Sequence, residues 1–199
     1  MTRFEQFECD DVRALIETYP LAWVCGSSSA NMEASLLPLV GVYGDDGDLV
    51  QLIGHMGRSN PLHAALVADP HATILFKGPD AYVSPEHARR RNWGPTWNYV
   101  QLKISAEIVF DPLFTETSLR VLLDAVESGR AQPWNADELG ARYEGMLVQI
   151  IGFRACVTNL SGRFKLGQDE APGTLQSILG SLPDAATVSW MRRFNAGRL

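Results

Sequence analysis

The chain has 199 residues, a hydrophobic fraction of 46% and a formal net charge of -6. That length suits a domain burying roughly 70% of its unfolded surface, which needs neither disulfides nor a metal to hold a core. No apolar run approaches the ~18 residues of a membrane span, and Met1 to Gln6 lacks the basic-then-apolar start of a secretory signal. The negative balance argues against direct binding to nucleic acid, which rests on neutralised phosphates. Cys9, Cys25 and Cys156 are odd in number and far apart, a spacing for neither a metal nor a redox pair. A reducing, cytoplasmic setting is expected, with Cys25 and Cys156 as small core residues.

In chain order, Asp10 is placed to cap a short first helix that ends before Pro20. Leu21 to Cys25 reads as a buried strand and residues 26–31 as a turn. Residues 33–42 read as extended, with Pro38 setting them at an edge or bulge. Residues 44–48 carry hairpin turn chemistry and lead into a strand from Leu49 to Ile53. A helix is expected from Pro61 to Ala68, a buried strand over residues 72–76, then a tight turn and a long loop over residues 78–94. The clearest strand is Tyr99 to Phe110, where Val100, Leu102, Ile104, Ala106 and Ile108 alternate with polar residues. A helix from Thr115 or Thr117 to Glu127 is ended by Gly129. A second helix over 136–143, a strand over 146–157 and two helices near 174–179 and 184–194 complete the chain. Short strands joined by antiparallel turn signals, with helices grouped late, predict a mainly β fold with attached helices, a small barrel.

The chemistry concentrates in two stretches. Gly54-His55-Met56-Gly57-Arg58-Ser59-Asn60-Pro61 leaves a strand and opens a helix. Ser59 or Asn60 can cap that helix, Pro61 suits its first turn, and the positive helix end beside Arg58 favours a phosphate. By pattern alone, an ordinary capped helix with a solvated arginine is the commoner outcome. His55 has no carboxylate partner nearby in sequence, and no histidine has metal spacing. The second stretch, Gly94 to Tyr99, crowds Thr96, Trp97, Asn98 and Tyr99 together as a ligand wall or as core aromatics at a strand start. Lys77 stands at a strand end, and Arg89 to Arg91 reads as a solvated loop. There is no P-loop, no nucleophile triad, no assignable catalytic residue and no helix-turn-helix with a basic recognition helix.

Taken together, these stretches resemble the PaiB-like family, the FMN-binding negative transcriptional regulators. The segments that carry the resemblance are Gly54-His55 through Arg58 and Asn60-Pro61, then Phe76-Lys77-Gly78-Pro79 with Ala81 to Pro85, then Pro95 to Tyr99. Gly152-Phe153-Arg154 and Gly162 to Asp169 follow, the latter similar to the family's Gly-Lys-Phe-Lys-Leu-Ser-Gln-Asn. Leu36 stands where the family has a histidine, Glu86-His87-Ala88 replaces Ser-Trp-Tyr, and Gly167 and Asp169 replace Ser and Asn.

The resemblance implies an FMN-binding split β-barrel over residues 1–170, with residues 171–199 as a helical extension packed on it. It also implies a homodimer with FMN at the subunit interface. His55, Arg58, Ser59 and Asn60 would serve the FMN phosphate. Lys77, Thr96, Trp97 and Asn98 would lie near the flavin or the dimer seam, and Lys165 and Gln168 would close the site. Such a protein would be a flavin-dependent oxidoreductase or regulator. Two alternatives stand: a transcriptional regulator acting through DNA or a protein partner, and a split barrel holding haem, F420 or a pyridoxal phosphate-like cofactor.

Overall fold

The computed structural model describes residues 2–27 and 32–199. Seven strands form one sheet: β1 (Leu21–Ser27), β2 (Met32–Pro38), β3 (Val40–Tyr43), β4 (Leu49–Gly57), β5 (His71–Val83), β6 (Thr96–Phe110) and β7 (Ile150–Lys165). Their order is β2-β1-β5-β6-β7-β4-β3, so β2 and β3 are the edges. Among the described residues six α-helices accompany them: α1 (Cys9–Thr18), α2 (Pro61–Ala68), α3 (Thr115–Glu127), α4 (Arg142–Leu147), α5 (Pro172–Ser181) and α6 (Ala185–Phe194). The chain divides into two compact units. The first comprises Met1–Glu8, Lys77–Leu102 and Ser161–Leu199; the second comprises Cys9–Phe76 and Lys103–Leu160. Among the described residues no helix is long and apolar enough to cross a membrane.

In the second unit, strand alternation sends Ala22, Val24, Leu52, Met56, Ile74, Ile104 and Phe153 into the core. Helix α1 adds Val12, Leu15 and Ile16, apolar residues at helical spacing. Helix α2 lies close over β1 because Gly26 has no side chain: a Cβ there would stand 2.9 Å from Leu66 Cδ2. In the first unit Phe164 is fully buried, with its ring 5.0 Å from Phe7 and stacked 4.9 Å from Phe194 of α6.

Helices α2 and α3, the Gly44 to Asp48 turn and the alternation of β6 match the sequence reading. The turn is closed by Gly44 N–H donating to Asp48 O, with Gly47 at φ +86. Pro38 ends edge strand β2. Several expectations are corrected. Helix α1 starts at Cys9, so Asp10 lies in its first turn rather than at the cap. Strand β1 is buried on one face only, with Leu21 and Trp23 about half exposed. Cys25 and Cys156 are only partly buried, and all three cysteines are free. Residues 28–31 of the expected turn lie outside the described residues.

The turn expected after Phe76 is absent, and β5 runs on to Val83. Pro79 is tolerated there because the β1 ladder ends at Phe76, so no β1 carbonyl waits for its missing N–H. The expected helix over 136–143 is instead a 3₁₀ turn, Ala136–Leu139, opened by an Asn135/Glu138 capping box and stopped by Gly140 at φ +53. Helix α4 then carries Met146 and Leu147, and β7 starts only at Ile150.

Helix α3 meets the sheet at Gly152 of β7. A Cβ there would stand 2.6 Å from Ser118 Oγ and 2.8 Å from the Thr115 backbone. Gly152 N–H also donates to Thr115 Oγ1 at 3.1 Å. Because a helix backbone cannot yield as a side chain does, Gly152→Ala is expected to cost about 1–3 kcal/mol, a fall of several degrees in Tm on calorimetry. Gly180→Ala, in α5 with open space around it, is the matched control and should lose nothing.

Candidate functional site

Strand β4 ends at Gly57 and delivers the turn Arg58-Ser59-Asn60, which opens α2. The turn is held from three sides. Arg58 N–H donates to Gln149 O at 2.9 Å, and its Nε donates to Val148 O at 3.2 Å. Asn60 N–H donates to Gly57 O at 3.0 Å. The Asn60 side chain caps α2: its Oδ1 accepts from Leu62 N–H at 3.0 Å, and Pro61 occupies the first helical position. Of the two cap candidates in the sequence, Asn60 is the one used.

Asn60 also reaches β2. Its Nδ2 donates to Ser35 Oγ at 2.9 Å, and the Ser35 hydroxyl lies 3.1 Å from Asn60 Oδ1. Ser35 escaped the sequence reading; a polar residue alternating within an edge strand was the available signal. His63 N–H donates to Asn60 O, and its Nδ1 sits 3.2 Å from Arg58 O.

This accounting changes what the turn can offer an anion. The N–H groups of Arg58, Asn60, Leu62 and His63 all have acceptors, and Pro61 has none to give. Among the described residues, Ser59 N–H is the one of this stretch left without an acceptor. Arg58 and Ser59 are exposed. The donors available for a phosphate are therefore the Arg58 guanidinium and the Ser59 hydroxyl and amide, rather than the helix end as a whole.

His55 belongs to β4 and not to the turn. Its ring lines a cavity of about 180 Å³ with Leu119, Leu123, Trp134, Tyr143 and Ile150 among the other walls. Burial pushes its pKa below the ordinary histidine value. Its Nδ1 is shut from solvent and has no hydrogen-bond partner.

The other expected site residues lie in the first unit. Lys165 Nζ donates to Thr96 Oγ1 and, at 3.1 Å, to Trp97 O, which brings these three together. Trp97 is 54% exposed, and its ring stands 5.8 Å from that of Tyr82, also exposed. Lys77 is exposed and paired with Asp80. Asn98 is buried at 3% exposure, its Nδ2 donating to Met191 Sδ at 3.4 Å. Gln168 serves its own turn: Nε2 donates to Phe164 O at 2.6 Å and Oε1 accepts from Leu166 N–H at 2.7 Å. The structure thus gathers Arg58, Ser59 and Asn60 in one unit and Thr96, Trp97 and Lys165 in the other. It commits Asn98 and Gln168 to internal bonds.

The chain matches the family described as "Putative FMN-binding domain" over residues 1–159. It is 25% identical over 183 residues to the Protease synthase and sporulation protein PAI 2 of Bacillus subtilis (strain 168), covering 90% of this chain and 86% of that protein. Among solved structures it is similar to the FAD and haem binding protein from Mycobacterium smegmatis. The TM-score is 0.64 and the identity 18%, over 87% of this chain and 80% of that one. It is also similar to the flavocytochrome Anf3 from Azotobacter vinelandii, with TM-score 0.58 and 16% identity over 82% and 70% of the two chains. The fold is the split β-barrel with attached helices that the sequence resemblance implied. The chain belongs to the FMN-binding domain family, and its likeness to the PaiB-like proteins holds.

Proposed function

We propose that this protein is a flavoprotein that holds FMN by its phosphate at the Arg58-Ser59-Asn60 turn. The observation that carries the reading is the state of the turn's donors. Four backbone N–H groups are spent on fixing its shape, while Arg58 and Ser59 face outward. A phosphate dianion fits that set: a fork of guanidinium donors, a hydroxyl and one free amide. Asn60, saturated by Leu62 and Ser35, acts as the positioning residue. Bound flavin would supply hydride or electron transfer, and the chain would bind and orient it. On this reading the protein is an oxidoreductase. A second reading, a flavin-dependent regulator, draws on the likeness to the Bacillus subtilis relative, whose name ties it to protease synthesis and sporulation.

We also assign it a homodimeric state. In register across β2, β1 and β5, Leu36 and Leu75 both oppose Trp23. All three are 40–50% exposed, with Leu21 beside them at 53%. A contiguous apolar row on a sheet face suits burial against a second copy, since soluble monomers rarely leave such patches open.

Titration of purified protein with FMN should give a flavin absorbance change that saturates. Arg58→Gln should weaken FMN about 10- to 100-fold, the loss expected for charge-assisted contacts, while affinity for riboflavin, which has no phosphate, stays within about twofold. Equal loss for both flavins, or no flavin binding by the wild type, would overturn the phosphate assignment. Sedimentation equilibrium tests the dimer: the wild type should give twice the chain mass, and Trp23→Glu the mass of one chain.

A further inference from the structure

Ser59 N–H is the amide of the Arg58 turn left free among the described residues, so its direction decides whether an anion meets a donor there. That direction is set by the peptide plane it shares with the Arg58 carbonyl. In a planar trans peptide the C=O and the N–H point opposite ways, and among the described residues no peptide bond is cis. Whatever holds Arg58 O therefore aims Ser59 N–H in the other direction. Among the described residues no backbone N–H donates to Arg58 O. The group that reaches it is His63 Nδ1, at 3.2 Å. A carbonyl oxygen accepts and cannot donate, so the hydrogen of this bond sits on Nδ1. The imidazole is itself well placed. His63 lies in the first turn of α2, with its own N–H donating to Asn60 O at 2.9 Å. The Phe110 ring meets it edge-on, the centroids 4.7 Å apart at an interplanar angle of 82°.

We propose that His63 is a positioning residue of the phosphate site: by holding the Arg58 carbonyl, it turns Ser59 N–H outward to the bound phosphate. The inference rests on the reading of the Arg58-Ser59-Asn60 turn as the FMN phosphate site. The two orientations of the 58–59 peptide plane differ in sign. With the carbonyl held by His63, a donor faces the phosphate. With the plane reversed, a carbonyl oxygen would face it and repel it. The other end of Arg58 is already fixed, its N–H donating to Gln149 O at 2.9 Å. His63 supplies the constraint on the carbonyl side, so the amide is aimed before the ligand arrives and less order has to be created on binding. Nδ1 carries hydrogen both in the neutral tautomer that the carbonyl selects and in the protonated ring, so the bond persists through histidine titration.

The test compares FMN with riboflavin in fluorescence titrations of the full chain and three variants. His63→Phe keeps a ring against Phe110 and removes the donor. His63→Asn places an amide N–H where Nδ1 stood, and His63→Gln places one where Nε2 stood. His63→Phe should weaken FMN about 3- to 10-fold, the worth of one hydrogen bond. Riboflavin should stay within about twofold, which also reports that the variant is folded. His63→Asn should bring FMN affinity back to within about twofold of the wild type, and His63→Gln should not. In ¹H–¹⁵N spectra the Ser59 amide of the wild type should shift with FMN and not with riboflavin, and His63→Phe should reduce that shift. Rescue by Gln in place of Asn would show direct contact through Nε2 and overturn the positioning role. Unchanged FMN affinity in His63→Phe, with Arg58→Gln still losing FMN selectively, would also overturn it and leave the phosphate reading standing. If Arg58→Gln weakens both flavins equally, the phosphate reading fails and this inference falls with it.

Discussion

The Asn60 carboxamide is the interaction on which the candidate site depends. One side chain accepts from Leu62 N–H to start α2 and pairs with Ser35 on edge strand β2. A helix cap alone contributes about 1 kcal/mol, and many caps do nothing else. Here the same carboxamide fixes the helix start and the position of an edge strand relative to it, while the Asn60 backbone N–H bonds Gly57 O at the end of β4. Because Asn60 is used up in this way, its neighbours are free to be used otherwise. Arg58 is steadied through its Nε and its backbone by the segment before β7. Its exposed guanidinium is therefore offered on a stiff mount. Fixing a flexible side chain in advance removes part of the entropy that binding would otherwise cost.

The second constraint is an absence. Gly152 stands directly opposite His55 in the β4–β7 ladder. Without a side chain there, the first turn of α3 settles onto the sheet, with Thr115 and Ser118 in contact with the glycine and Thr115 Oγ1 accepting its N–H. The next turns of α3 then carry Leu119 and Leu123 over the His55 ring. Helix α4 closes the space with Tyr143, Met146 and Leu147. The cavity thus follows from one glycine: a larger residue would lift the helix that roofs it. On the other face of the sheet Gly54 plays the complementary part. A Cβ there would stand 2.6 Å from Leu39 and 2.7 Å from Phe153, so close core packing under β4 also requires a glycine.

Local signals suffice where one periodicity or one cap decides the outcome. Helices α2 and α3 and the face of β6 fall in this class, because the Asn60-Pro61 start, the apolar spacing of Leu119, Leu122 and Leu123 and the Val100 to Ile108 alternation speak without tertiary context. They do not suffice where partners decide. The length of β5 past Phe76 depends on which neighbour its Pro79 must pair with, which no local pattern encodes. The start of β7 is not legible locally because Met146 and Leu147 are apolar residues that suit either a helix or a strand. The split-barrel fold was legible through ordered family segments more than through physics. Within the candidate site, the Arg58-Ser59-Asn60 turn is legible, but the fate of its amides is not. Nor was the Ser35 contact, since residues 35 and 60 meet only once β2 and β4 are in place.

His55 and Arg58 illustrate why sequence proximity is a poor guide to shared function. In β4, alternation buries Leu52, Gly54 and Met56 toward the core and turns His55 to the opposite face, under α3. Arg58 lies one residue past the strand, where alternation has ended and the backbone bends into the turn, so its side chain escapes to solvent. One group has a ring nitrogen closed from solvent and without a hydrogen-bond partner, and burial pushes its pKa below the ordinary histidine value. The other stays hydrated and charged, as every arginine does at working pH. A phosphate gains from the second environment and would lose in the first, where a neutral imidazole offers no charge. The two residues sit three positions apart, yet the end of one strand gives them opposite environments.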